Sequence, residues 1–390
     1  MVAQSYYLRD PRVRREAEAL QESGFQVDVV TLEARGERRC ETKNGVRIYR
    51  VPLSRRRGGK ARYVFEYLAF FILATFYVNL LYLRRRYRAL YVHTMPDFLV
   101  FCGVSQKLVG RPVILDAHEP IPEFFCEKYG LLQSHWLTRF LEWVERISFS
   151  FADHVFTVSD PVRDLFVSRG LNPEKVSVVL NVPDERVFSS AVARSNSAKR
   201  PYGSLRLIYT GTVATRYGLD LLLDAVAIIG DRIPGLSVTI VGEGDALPAL
   251  KEQSRALGLE NRVRFLNPVP IEDIPDLIAK ADVGVSPHRD GIFWRYYFST
   301  KVVEFLRMGK PVICADTATI RHYFSDNQLV YFKAGSSEDL AEKILELHNT
   351  SASIFRNAAE NKEAMRNFSW RRHKKHYVDR VRKVVGSDHE

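Results

Sequence analysis

Short β-branched runs alternate with amphipathic stretches along most of the chain, in two separate series, and this alternation restricts the fold more than any single motif does. The first series begins at 11–32 with a helix and a strand. Val13, Ala17 and Leu20 share one helix face, Gly24 ends the helix, and Val27, Val29 and Val30 mark the strand. Strand candidates recur at 46–51, 89–93, 112–117, 154–159 and 176–180, with helical stretches between most of them. Residues 1–4 would make an unusually short first strand, which suggests a start further upstream.

The stretch 189–204, SSAVARSNSAKRPYGS, loses all periodicity and reads as a linker. Beyond it the alternation restarts, with strands at 205–210, 236–241, 263–266, 283–286 and 329–332. Helices are expected at 219–229, 247–257, through Leu277, at 338–348 and at 354–365. Repeated β-α units predict an α/β chain of two Rossmann-like, doubly wound domains, residues 1–188 and 205–369, followed by a basic amphipathic helix over 370–386.

A chain of 390 residues is too long for one ordinary core, and 46% apolar with 26% charged residues describes a globular protein. The formal charge of +11 points to an anionic partner: nucleic acid, a phosphorylated substrate or an acidic membrane surface. Nucleic acid is not expected, because the basic residues flank an apolar helix and no RNP, zinc-finger or helix-turn-helix signature is present. The cysteines, Cys40, Cys102, Cys126 and Cys314, show no metal-like or redox-like spacing, so reduced structural thiols and a cytoplasmic location are expected. The N-terminal stretch has no apolar run long enough for a signal peptide.

Residues 64–83, VFEYLAFFILATFYVNLLYL, are long enough to span a bilayer, but Glu66 and Asn79 interrupt the run. Both flanks are basic, with Arg55, Arg56, Arg57, Lys60 and Arg62 before it and Arg84, Arg85, Arg86 and Arg88 after it. The positive-inside rule therefore assigns no orientation. Three readings stand: a core helix with solvated charges, a true span, or a helix packed on a sheet that lays Phe65, Phe70, Phe76 and Tyr77 into the headgroup boundary. The third makes residues 55–88 a contact with an anionic membrane surface.

Site chemistry concentrates at 299–313, where a helix runs straight into a buried strand. Ser299 and Thr300 can cap its first turn, and Lys301 adds charge where the dipole is already positive, which makes an anion site. Glu304, one turn on, can accept hydrogen bonds from a pair of sugar hydroxyls; the plainer reading is an i,i+3 ion pair with Lys301. Gly211 lets a ligand approach the backbone after the 205–210 strand, and Arg216 supplies a forked donor. Gly242, Glu243 and Gly244 also end a strand, but Leu247 stands where a dinucleotide fingerprint needs its third glycine. In the first half, His93 and Asp97, then His118 and Glu119, follow strand ends. His118 is the catalytic candidate there, and Glu119 and Glu123 are candidate bases.

Taken in order, these segments resemble the retaining GT-B glycosyltransferases of family 4, in their bacterial capsule and exopolysaccharide branch. The likeness is carried by RDPRVRREAEALQESGFQVDVV, VHTMPDFLV, VILDAHEPIPE, VFTVSDPVRDLF and VVLNVPDERVF before the linker. YTGTVATRYGLDLLLDAV, LSVTIVGEGD, ADVGVSP and FSTKVVEFLRMGKPVICAD carry it after the linker.

The resemblance implies two domains facing a cleft, with the last helix crossing back to the first. It implies transfer of a hexosyl unit from a UDP- or GDP-sugar, with retention and without a metal or cofactor, to a lipid-linked or polysaccharide acceptor at the inner face of the plasma membrane. By position, Glu304 would hold the ribose, and Thr300, Lys301 and Arg216 the diphosphate. Gly211 and Thr212 would flank it, with Gly242, Glu243 and Ser299 beside the donor, and Arg216 and Lys301 would act with His118 in catalysis. His93, Asp97 and Glu119 would face the acceptor. This sequence departs at Tyr296, where the family has the first glutamate of E-x7-E, contacting the donor sugar. It departs again at Thr212 and Tyr217, in the places of the family's usual arginine and lysine. The first departure keeps open a degenerate transferase that serves as a membrane-bound assembly partner, and the architecture alone also suits a nucleotide-sugar epimerase.

Overall fold

The computed structural model describes residues 1–55, 60–188, 203–349 and 365–386. The expected linker, except for its last two residues, and the expected helix at 354–365, except for Met365, lie outside them. The chain divides into two units, Met1–Asn181 with His373–Glu390, and Val182–Arg372.

Unit 1 is built on strands β1 (Asp28–Leu32), β2 (Cys40–Lys43), β3 (Val46–Val51), β4 (Leu90–His93), β5 (Val113–Ala117), β6 (His154–Thr157) and β7 (Val176–Val178). Two ladders, β1-β3-β2 and β4-β5-β6-β7, are parallel except at β2. The first residues join them: Val2 bridges both Val30 in β1 and Val92 in β4. The short N-terminal segment therefore fills a central strand position. Strand β2 was absent from the sequence reading. It is a polar, largely exposed edge strand turned back on β3 through Asn44-Gly45, both with positive φ.

The apolar stretch forms one helix, Lys60–Arg85. Glu66, Phe70, Ala74, Val78 and Leu81 make its buried stripe, whereas Phe65, Leu68, Ile72, Phe76 and Leu83 are exposed. Phe70 thus belongs to the packed side and not to the outer face expected of it. The polar interruptions are matched locally, since Arg62 Nε donates to Glu66 at 3.0 Å and the Ser105 hydroxyl donates to Asn79. Residues 64–85 are long and apolar enough to cross a membrane. At the other end of the chain, the helix Trp370–Val385 buries Tyr377 edge-on against Tyr91 and Phe156.

Unit 2 carries β8 (Ser204–Thr210), β9 (Gly235–Val241), β10 (Val263–Leu266), β11 (Val283–Ser286), β12 (Val312–Ala315) and β13 (Val330–Phe332). They form one parallel sheet in the order β10-β9-β8-β11-β12-β13. The strand order reverses between β8 and β11. In such sheets the crevice outside the carboxyl ends of those two strands is where ligands bind.

Candidate active site

The β8 and β11 loops and the helix Thr300–Arg307 meet at that reversal. The helix lies close to β11 because Gly284 has no side chain: a Cβ there would stand 2.2 Å from the Phe305 ring. Its amphipathicity explains the rest, with Val302, Val303, Phe305 and Leu306 buried and Lys301 carried toward the loops on the first turn. Ser299 occupies the N-cap position but makes no cap bond. Its hydroxyl lies 3.2 Å from that of Ser286 at the end of β11. The expected side-chain cap is therefore replaced by a tie between helix and strand, and of Ser299 only the carbonyl oxygen serves the first turn, accepting from the Val302 amide at 3.2 Å.

The β8 and β9 loops are locked together. The amide of Gly211 donates to Val241 O at 3.0 Å and that of Val213 to Glu243 O at 2.9 Å. A Cβ on Gly242 would sit 1.9 Å from the Gly211 carbonyl oxygen, at φ 150°. Gly211, Thr212, Gly242 and Glu243 are thus brought into one patch, as the motifs suggested. Gly211 contributes an open approach and not a donor, since its amide is already used.

Lys301 is nearly buried at 8% exposure. Its ammonium lies 5.0 Å from the Tyr209 ring centroid and 4.8 Å from that of Tyr217. The Arg216 guanidinium stands 5.1 Å from Tyr217, so one ring is shared by two cations. Lys301 and Glu304 form no ion pair with each other, which removes the plainer reading of that spacing. Burial instead pushes Lys301 down to about 8, with Glu304 opposing the fall and Arg216 adding to it. Burial likewise pushes the Glu304 carboxyl up to about 7 against the pull of Lys301. Both groups are poised near neutrality because each charge is partly desolvated without a close counterion.

Sequence reasoning missed the wall of this site. His288, just after β11, stacks on Trp294 at 4.4 Å, and Tyr297 and Tyr217 close on both edge-to-face or tilted. Burial and the Lys301 charge hold His288 well below its ordinary value, so it is a neutral aromatic surface. Tyr297 joins this cluster, and its neighbour Tyr296 is half-buried after the turn Phe293–Arg295.

Unit 1 holds a different kind of site. Asp116, the last residue but one of β5, is fully buried, and Arg12, from the helix Pro11–Glu22, grips both of its oxygens at 2.9 and 2.7 Å. Arg12 also reaches Glu16 at 3.1 Å and the Val179 carbonyl at 3.1 Å. His118 Nε2 stands 3.0 Å from Asp116 Oδ2, and His93 Nδ1 stands 3.2 Å from the same oxygen and 3.1 Å from His118 Nε2. Burial alone would raise the Asp116 carboxyl, but Arg12 and the histidines hold it well below the usual range. His93 is depressed to about 4 by burial and stays neutral. His118 Nε2 is thus committed within the cluster, while the His118 side chain keeps 21% exposure.

These placements correct two expectations, at His93 and Glu123, and set Asp97 apart from the histidines. His93 is buried behind His118 and cannot itself face an acceptor. Glu123 is paired to Arg169, at 3.2 Å through Nη1 and by a closer contact through Nη2, so it is not an available base. Asp97 is not part of the histidine cluster; burial alone pushes it up to about 7, and it lines an apolar cavity elsewhere in unit 1. Glu119 follows His118 half-buried. The donor atoms of His93, Asp116 and His118 lie within 4.8 Å of one another, a spacing compatible with a metal. The Arg12 guanidinium already occupies both Asp116 oxygens, which makes this donor set a poor fit for a cation.

Two family profiles match the chain, "Glycosyl transferase 4-like domain" over residues 10–181 and "Glycosyl transferases group 1" over residues 204–350. A phosphatidyl-myo-inositol mannosyltransferase of Mycobacterium leprae is 30% identical over 158 residues, 40% of this chain and 40% of that protein, so the match spans less than half of the relative. Among solved structures, sucrose-phosphate synthase from Thermosynechococcus elongatus superposes with a TM-score of 0.77 at 18% identity, covering 99% of both chains. Anabaena Alr3699/HepE in complex with UDP-glucose superposes with a TM-score of 0.69 at 17% identity, covering 98% of both.

Proposed function

Since the chain belongs to the GT-B glycosyltransferases, we propose that it moves a hexosyl unit from a UDP- or GDP-sugar to a lipid-linked or polysaccharide acceptor, with retention at the anomeric carbon. The observation that carries this reading is Lys301, a nearly buried ammonium in unit 2 with aromatic rings near it and, among the described residues, no carboxylate within ion-pair distance. A desolvated cation without a counterion is costly on its own and favourable once an anion arrives. A nucleoside diphosphate is such an anion. As the glycosidic bond breaks, charge collects on the departing diphosphate, and fixed cations stabilise that state more than the bound substrate. Lys301 and Arg216 supply this charge from the protein itself, which supports a reaction that needs no metal or further cofactor. Glu304 takes the ribose hydroxyls, and Thr300 lies at the helix start beside the diphosphate.

His118, oriented by Asp116 and backed by His93, acts on a substrate hydroxyl through Nδ1. The lipid-linked form of the acceptor is favoured by the exposed apolar face of Lys60–Arg85 and by the exposed arginines at 84, 85, 86 and 88, which together suit a peripheral position on an anionic membrane surface. On this reading the protein works at the inner face of the plasma membrane. Purified protein is expected to release UDP or GDP from one member of a nucleotide-sugar panel and to give an axial or equatorial product matching its donor, with EDTA leaving the rate unchanged. Loss of activity on chelation, or an inverted anomer, would refute those parts.

Tyr296 supports a second reading. With no carboxylate eight residues before Glu304, the protein would bind nucleotide but serve as an assembly partner. Nucleotide binding without turnover or hydrolysis of any donor would select it.

A further inference from the structure

Unit 1 contains an apolar cavity of about 600 Å³ between the Lys60–Arg85 helix, the turn after β4 and the helices Ile121–Tyr129 and Trp136–Phe151. Val64, Leu68, Phe125, Leu137, Phe140 and Val144 shape it, and Asp97 is the lone carboxylate in its wall. Its size lies within the roughly 300–1,000 Å³ of small-molecule sites. Protein interiors rarely leave such a space among hydrocarbon side chains, and water gains little where it meets so few polar partners.

The surroundings indicate what fills it. Val64, Leu68, Phe140 and Trp143 line the cavity and are also exposed, so its wall is continuous with an apolar surface. That surface extends along Phe65, Ile72 and Phe76 on one helix and Trp136, at 69% exposure, on the other. A contiguous apolar surface of this kind marks a membrane or partner contact. Its charge selects a membrane: exposed Arg62, Arg139 and Arg146 lie on the same two helices, and Lys128, on the rim, holds its ammonium 5.8 Å from Phe124 and 5.3 Å from Tyr129. An apolar interior with a cation at the mouth is complementary to one long hydrocarbon chain with a phosphate at its end.

We infer that this cavity takes the hydrocarbon chain of a phosphate-bearing lipid acceptor, with Lys128 at the headgroup and the exposed faces of the two helices against the bilayer. The inference rests on the lipid-linked form of the acceptor proposed above and adds the subsite that would select for chain length. It assigns the cavity to the acceptor and not to bulk phospholipid.

The test is titration of the full-length protein with octyl, decyl and dodecyl phosphate below their micelle concentrations, followed by tryptophan fluorescence. Binding at one site per chain, tightening about fourfold per added methylene, is expected. Val144→Trp fills the cavity and should weaken dodecyl phosphate at least tenfold. Leu68→Glu, at an exposed position where folding is not at risk, should weaken it as well, while Ile72→Ser on the outer face should leave it unchanged. Equal affinity across the chain series, or undiminished binding by both cavity variants, would overturn the inference. Complete displacement of dodecyl phosphate by phosphatidylglycerol vesicles would give the cavity to bulk lipid. Dissociation of a dimer by dodecyl phosphate would give it to a second copy of the chain, and either result also overturns the assignment. UDP-induced stabilisation, measured on the same samples, separates this inference from the transferase reading. If UDP stabilises and no alkyl phosphate binds, only the cavity assignment fails; if alkyl phosphate binds and no nucleotide does, the transferase reading fails instead.

Discussion

Each unit buries charge, but the two do so in opposite ways. In unit 1 the Asp116 carboxylate is matched by Arg12, with Glu16, His93 and His118 arranged around the pair. In unit 2 Lys301 is almost as deeply buried, with aromatic faces near its ammonium and, among the described residues, no carboxylate within ion-pair distance. The first arrangement is electrically complete before any ligand arrives and fixes the position of one imidazole. The second is incomplete and becomes favourable on meeting an anion. A buried charge therefore points to positioning where its partner is present and to binding where its partner is missing.

The largest expected effect comes from breaking the complete arrangement. Arg12→Ala leaves the buried Asp116 charge without its guanidinium, with the His93 and His118 imidazoles beside it, and should cost about 3–5 kcal/mol of stability, read by denaturant titration. Arg12→Ala with Asp116→Asn should recover a large part of that loss, because the stranded charge is gone. If the double variant is as unstable as the single one, the pair is not balanced in the way described.

Breaking the incomplete arrangement should act on function instead. Lys301→Ala is expected to lower kcat/KM by about 10²–10³, the range for removing one donor to a developing oxyanion. Its stability should hold or rise, because a desolvated charge has been removed. Substantial destabilisation of this variant would mean that Lys301 has an internal partner after all.

Next in size is Gly242→Ala. Its Cβ would meet the Gly211 carbonyl oxygen at 1.9 Å, so the β8 and β9 loops must separate. Overpacking of this kind costs about 1–3 kcal/mol, and nucleotide affinity should fall with the loss of loop geometry. Retained melting temperature and affinity would show that the two loops are not locked.

The smallest effect is the pH dependence of nucleotide affinity. On the proposed assignment Lys301, lowered to about 8, would bind a diphosphate as the cation, so affinity is present below that value and declines as pH rises through it. Glu304, raised to about 7, would accept ribose hydroxyls as the carboxylate, so affinity declines as pH falls through that value. A maximum between about 7 and 8 is expected, with a slope approaching tenfold per unit on the alkaline side. Isothermal titration across pH 6–9.5 would show it; a flat profile would mean that neither group titrates in the free protein.

The positions of most strands along the chain were readable because a buried parallel sheet imposes short apolar runs, and these dominate both halves of the sequence. Cys40–Lys43 escaped because an exposed edge strand needs no such run; the Asn44-Gly45 pair was its sole local signal. Lys301 and Glu304 were legible because a helix start concentrates its chemistry within a single turn. Arg12 and Asp116 were not, since they are 104 residues apart and only the folded sheet brings them together. The His288, Trp294 and Tyr297 wall was also hidden, because a loop has no periodicity to show which of its aromatics meet. Tyr297 illustrates this: nothing in its local sequence marks it as the partner of Trp294 and His288.

The contrast between a complete and an incomplete buried charge rests on one site above all. The most direct test is calorimetric titration of UDP and GDP into the wild-type protein and Lys301→Ala at pH 8.5, where Glu304, raised only to about 7, is already ionised and Lys301, lowered to about 8, is largely neutral, in two buffers of different ionisation enthalpy. One nucleotide should bind wild type with net proton uptake, since the bound diphosphate raises the Lys301 pKa. Lys301→Ala should bind it about 10- to 100-fold more weakly, as expected for loss of a charged hydrogen bond, and with less proton uptake. Equal affinity and equal proton uptake in the two proteins would contradict the account.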